Sequence, residues 1–137
     1  GRENCDLIVY TSDSSHFILN ELTKTQPKYV SDHLTDGTLK IGKKNKAISQ
    51  LKQTLKDISD VPPINSFIKQ RTTKHCCFFN KLPSPPQGIT ATNAFNRLSS
   101  ISPNGIHTPN PDIEAWGFEF WEFCDNQTYL LSLDILT

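Results

Sequence analysis

The chain has no methionine, and none of its apolar runs approaches 18 residues. The second absence excludes a helix that spans a membrane, which needs about 20 mainly apolar residues. The amino terminus has no charged start followed by an apolar core, so no secretory signal is read there. The missing methionine, with Gly1 in first place, gives the expectation that the 137 residues are a piece of a longer protein. No Gly-x-Ser-x-Gly, Cys-x-x-Cys or His-x-x-x-His spacing occurs. The local signatures of a nucleophile elbow and of a compact zinc site are therefore missing. Four cysteines, Cys5, Cys76, Cys77 and Cys124, fall far short of the density of a disulfide-stapled scaffold. Free, mostly buried thiols in a reducing compartment are expected. Asn126-Gln127-Thr128 is a formal glycosylation acceptor, a triplet common by chance. Apolar content is low at 36%, and nine prolines imply much irregular structure within a single domain, 1–137.

Both tryptophans and three of the eight phenylalanines lie between Asp112 and Thr137. From Trp116 to Phe120 bulky residues alternate with Gly117 and Glu119, the period of a strand. The phase then slips: Phe118 and Phe120 share one face, Trp121 and Phe123 the other. Burial on both faces is the favoured reading, with a bulge at Phe120-Trp121 as the alternative. Asp125-Asn126-Gln127 supplies turn chemistry, and Tyr129 to Leu136 alternate again. The pattern predicts an antiparallel hairpin over 116–136.

Earlier in the chain, Asp6–Tyr10 reads as a buried strand. Ser14 or Ser15 caps a predicted helix over 14–25, with Phe17, Ile18, Leu19 and Leu22 as its stripe and Pro27 as its stop. Phosphate binding at its N-terminus lacks a glycine pattern to support it. Asp36-Gly37 is a turn signal before Thr38–Ile41. Ile48, Leu51, Leu55 and Ile58 predict a helix over 44–58 with Asn45 as cap, ended by Val61-Pro62-Pro63. Asn65 or Ser66 caps a short turn through Arg71, and 75–79 reads as a buried strand. Residues 82–111 form a long Pro-rich irregular loop, with a two-turn helix over 92–100. It holds Ser84-Pro85, Ser102-Pro103 and Thr108-Pro109, minimal sites for proline-directed kinases; a phosphate there would dock on basic residues. The fold expected is α+β: an antiparallel sheet with the C-terminal hairpin, packed by two or three helices. A three-layer α/β arrangement is the alternative.

Net charge is zero but segregated. Residues 39–81 carry ten basic and two acidic side chains, and the flanking segments carry −3 and −5. Lys43, Lys44, Lys52, Lys56, Lys69, Arg71 and Lys74 are the candidate surface for a partner or nucleic acid. The competing reading is that they solvate an amphipathic helix or face the acidic flanks. Phe78 and Phe79, among basic residues, fit either a core or single-strand binding. His16, His33, His75 and His107 are metal candidates with no ligating spacing. His75-Cys76-Cys77 alternate faces on a strand, so no metal site is assigned. Asp112 and Glu114 would share a face of a strand, as a metal-dependent enzyme requires.

Asn110-Pro-Asp-Ile113 and Leu131-Ser-Leu-Asp-Ile135 resemble short pieces of the exonuclease domain of family B DNA polymerases, over about nine residues. Their order is reversed relative to that family, and Leu136 stands where it has an acid. No residue role is transferred. The function expected is a non-catalytic protein–protein interaction module of a larger intracellular regulatory protein, nuclear or cytoplasmic. Nucleic-acid binding through 40–81 is the second reading and a metal-dependent enzyme the third; no cofactor and no membrane association are expected.

Overall fold

The computed structural model describes residues 4–13, 15–25, 27–80, 105–124 and 129. In chain order the elements are β1 (Leu7–Tyr10), β2 (His16–Thr23), a 3-10 turn (Pro27–Tyr29), β3 (His33–Thr35), β4 (Thr38–Lys40), α1 (Lys43–Ser59), α2 (Pro62–Lys69), β5 (Thr73–Asn80), β6 (Ile106–His107), α3 (Pro111–Glu114) and β7 (Glu119–Cys124). Five strands form one sheet in the order β1-β2-β5-β7-β6, and β3 and β4 form a separate hairpin.

The sheet is mixed, not antiparallel as expected. β2, β5 and β7 run parallel at its centre, and β1 and β6 flank them antiparallel. A parallel pair needs a long crossover, and α1 and α2 supply the one between β2 and β5. The α+β class stands, because all three described helices contribute their buried residues to one face of the sheet.

The helix expected over 14–25 is a strand. Six consecutive residues from His16 to Glu21 are buried, on both faces of β2. A short continuous apolar run does not distinguish a strand buried on both faces from a buried helix, and here the neighbouring strands decide. The Ser-rich segment closes a hairpin instead of capping a helix. Asp13 accepts hydrogen bonds from the Ser15 amide at 3.0 Å and the Ser15 hydroxyl at 2.6 Å. Ser15, and then Thr11, hold the Asp13 carboxyl down at about 2. β1 was expected to be buried, but it is an edge strand paired only with β2, and Leu7, Ile8 and Tyr10 are exposed.

α1 matches its prediction to within a residue at each end. Ala47, Leu51 and Leu55 face the sheet at four-residue spacing, and Ile48 and Ile58 flank them. Each fully buried Leu contributes about 1.5–3 kcal/mol. The cap is Gly42, not Asn45; Asn45 donates instead to Asp32 at 3.1 Å. Gly42 is required by close approach, since a Cβ there would lie 2.3 Å from the Val30 carbonyl oxygen. Pro62 both ends α1 and opens α2, which runs over 62–69 rather than from Asn65 to Arg71.

Asp112 and Glu114 lie on the helical turn α3, not on a strand. Asn110 caps the turn, its side chain accepting from the Ile113 amide at 3.1 Å, and Pro111 takes the first position. Residues two apart on a helix do not face each other, so the predicted carboxylate pair does not form. The strand expected from Trp116 begins at Glu119. Phe118 and Phe120 join the helix-side core, while Phe123 and Trp121 pack on the opposite face, so burial on both faces holds without a bulge. β5 and β6 take the two flanks of β7. Apart from Tyr129, the second strand of the predicted hairpin lies outside the described residues, as does most of the 82–111 loop with its expected helix, Ser84 and Ser102.

Candidate functional site

The seven basic candidates do not form one surface. Lys44 Nζ lies 3.1 Å from Glu122 Oε2, tying the start of α1 to β7. Lys52 Nζ pairs with Asp112 at 3.0 Å on the exposed side of α1. Arg71 is buried, with its guanidinium carbon 3.5 Å from the centroid of Phe67. Among the described residues its Nε has no hydrogen-bond partner, and the guanidinium lies over the ring face. Lys43 and Lys56 are exposed on α1.

Lys69 and Lys74 are brought together. They stand on the rim of a groove of about 410 Å³ between the end of α1, α2, the start of β5 and the turn after α3. Leu55, Ile68 and Phe118 supply its buried floor. Trp116, on the turn, lines the same groove and is 42% exposed as a residue. The turn depends on Gly117 at φ 83°, and Lys74 crosses it closely enough that a Cβ at Gly117 would lie 3.3 Å from Nζ. No carboxylate lines the groove among the described residues. Neither lysine is ion-paired among the described residues, and the Trp116 ring has no aromatic partner among them. An apolar floor under unpaired cations suits a ligand with an apolar body and negative charge.

Comparison with known proteins returns nothing to place beside this site. No family model, curated protein or solved structure matches the chain.

A second constellation occupies the other face of the sheet. Tyr129 Oη donates to His75 Nδ1 at 2.6 Å, and His75 Nε2 donates to Glu119 Oε1 at 2.9 Å. The Trp121 indole donates to the same Glu119 oxygen at 3.3 Å, and His107 Nε2 lies 3.8 Å from the other. His107 stacks on Trp121 with centroids 5.4 Å apart. His16 meets the edge of the Tyr129 ring, and its Nδ1 is 2.7 Å from the Ser15 hydroxyl. Burial lowers the His75 pKa; the pull of Glu119 opposes it, and His16 and His107 reinforce it. Both nitrogens of His75 are engaged, so the ring offers no free lone pair to a metal or a substrate. No group of three or more His, Cys, Asp or Glu among the described residues is placed to hold a metal ion. His33 stands apart, against Tyr29 on the small hairpin.

The sequence listed the histidines but did not assemble them. The period-2 spacing from His75 to Cys77 and Phe79, and from Glu119 to Trp121 and Phe123, puts each set on one face. The parallel pairing of β5 with β7, which sets His75 opposite Glu119, carries no local signal. Trp116 and Lys69 lie far apart in the chain and were likewise unconnected.

Proposed function

We propose that the chain is a non-catalytic protein–protein interaction module of a larger intracellular regulatory protein. The supporting observation is the β3–β4 hairpin. Leu34 and Leu39 face each other across its strands at 72% and 66% exposure, and Ile41 follows at 67%. Three large, exposed apolar side chains within one short hairpin and the residue after it suit a partner that removes them from water. The hairpin is pre-organised. Asp36 and Gly37 both have positive φ, the conformation of a tight two-residue turn whose twist matches its strands. Gly42 and Lys44 anchor it, donating to Asp32 and to the Val30 carbonyl at 2.8 and 3.0 Å. A surface already ordered loses less entropy on binding. The thiols of Cys5, Cys76 and Cys77, which form no disulfide among the described residues, support a reducing compartment. No helix is long and apolar enough to cross a membrane among the described residues.

The geometry narrows the nucleic-acid reading through 40–81, because Lys44 and Lys52 are paired within the fold and Arg71 is covered. The metal-enzyme reading gains no support, since Asp112 is turned to Lys52.

Affinity capture with cross-linking tests the module, comparing the wild-type chain with Leu34→Ser/Leu39→Ser. A specific protein held by the first and lost by the second is expected. Capture of no protein by the wild type, or equal capture by both, overturns the reading.

A further inference from the structure

We infer that the groove between α1, α2 and the turn after α3 binds a planar aromatic base carrying phosphate, the shared chemistry of a single-stranded nucleic acid and a free nucleotide. The base stacks on Trp116, and Lys69 and Lys74 hold the phosphate. This site is separate from the β3–β4 hairpin and does not rest on it.

Three observations carry the assignment. The first is the state of Trp116. The other tryptophan, Trp121, is committed to His75 and His107. Trp116 is 42% exposed on a groove wall with its ring face unmatched among the described residues. Stacking on such a ring tolerates any base, because every base presents a π-face.

The second is the charge of the lining. Among the described residues Lys69 and Lys74 are both without an ion pair and no acid lines the groove, so its described lining has one sign of charge. Elsewhere in the basic segment the fold has supplied partners: Glu122 for Lys44 and Asp112 for Lys52.

The third is the kind of cation. Carboxylates are best matched by the planar two-pronged guanidinium, and Arg71 is stacked on Phe67 instead of lining the groove. Two lysines are compact point charges of the sort that follow phosphates without demanding a fixed geometry. The volume of about 410 Å³ lies within the range of ligand pockets, and Ser59 and Asn65 add hydrogen-bonding groups to an apolar floor. With no arginine in the groove, readout of base identity is weak and the site is sequence-tolerant.

The test is fluorescence anisotropy of labelled oligothymidylate and oligouridylate on the whole chain, at low and physiological salt. Unlabelled adenosine and thymidine monophosphates serve as competitors, and a labelled Asp- and Trp-rich peptide runs in a separate arm. Salt-sensitive binding of the oligonucleotides is expected. Trp116→Ala should weaken it about tenfold. Lys69→Gln/Lys74→Gln should reduce the logarithmic salt slope by about 1.4, from two single-strand phosphate contacts. Lys46→Gln, exposed on α1 outside the groove, should have far less effect. Each variant's circular dichroism should match the wild type; should Trp116→Ala fail this check, Trp116→Phe replaces it with a smaller expected loss. Competition by mononucleotides assigns the site to free nucleotides, and its absence assigns it to strands. No binding at low salt, binding of the peptide alone, or equal affinity in the groove variants overturns the proposal.

Discussion

His75 is held through both ring nitrogens, and that arrangement sets how the fold responds to acid. Tyr129 donates to Nδ1, and the proton on Nε2 faces Glu119. Burial lowers its pKa, His16 and His107 add to this, and Glu119 opposes it, leaving the folded value below the ordinary 6.5. The unfolded chain therefore binds the proton more readily. The stabilising contribution is complete above pH 6.5 and is lost as pH falls through that value to the folded pKa. The urea midpoint of the wild type should fall on acidification across this window, and His75→Gln should flatten the slope. An unchanged slope would show that His75 does not carry the effect. At Gly42 the constraint is steric: alanine would drive a Cβ to 2.3 Å from the Val30 carbonyl. Gly42→Ala should cost about 1–3 kcal/mol in denaturant unfolding.

The elements show which local signals survive folding. α1 was legible because Ile48, Leu51, Leu55 and Ile58 recur at helical spacing with no Gly or Pro between them. Leu51 is fully buried, so Leu51→Ala should cost about 2–5 kcal/mol. Leu34→Ser, on the exposed hairpin, should change stability by no more than about 0.5 kcal/mol. Calorimetry on the two variants separates a core position from a docking position. The turn and β4 were legible through Asp36-Gly37 and the alternation after it, and β5 through its run of buried β-formers, whereas β3 lies in a stretch the sequence left open between helix and strand. β2 was misread because Phe17-Ile18-Leu19 is apolar on every side, and what makes it a strand is the ladder to β5, more than fifty residues away. α3 was hidden because a capping Asn and a following Pro define a single turn too short for periodicity. The groove was out of reach for the same reason: its walls come from four elements, and only the topology joins them.

At the scale of the whole molecule, the two edges of the sheet differ. β6 covers one side of β7. The outer side of β1 has no strand beside it among the described residues, and Leu7 to Tyr10 contain no charge or proline to deter another strand. The chain should self-associate in a concentration-dependent way through this edge, and Ile8→Lys should reduce it in sedimentation experiments. Between these edges runs β5, the middle strand, with two adjacent cysteines. Cys76 belongs to the helix-side core and Cys77 to the opposite cluster, and burial pushes both thiols well above their ordinary range. Each sulfur can react only when its own side of the sheet comes apart. Alkylation followed by mass spectrometry therefore gives two clocks in one strand, one timing the release of the helices and the other the release of the Phe123–Trp121 layer, with no cysteine introduced.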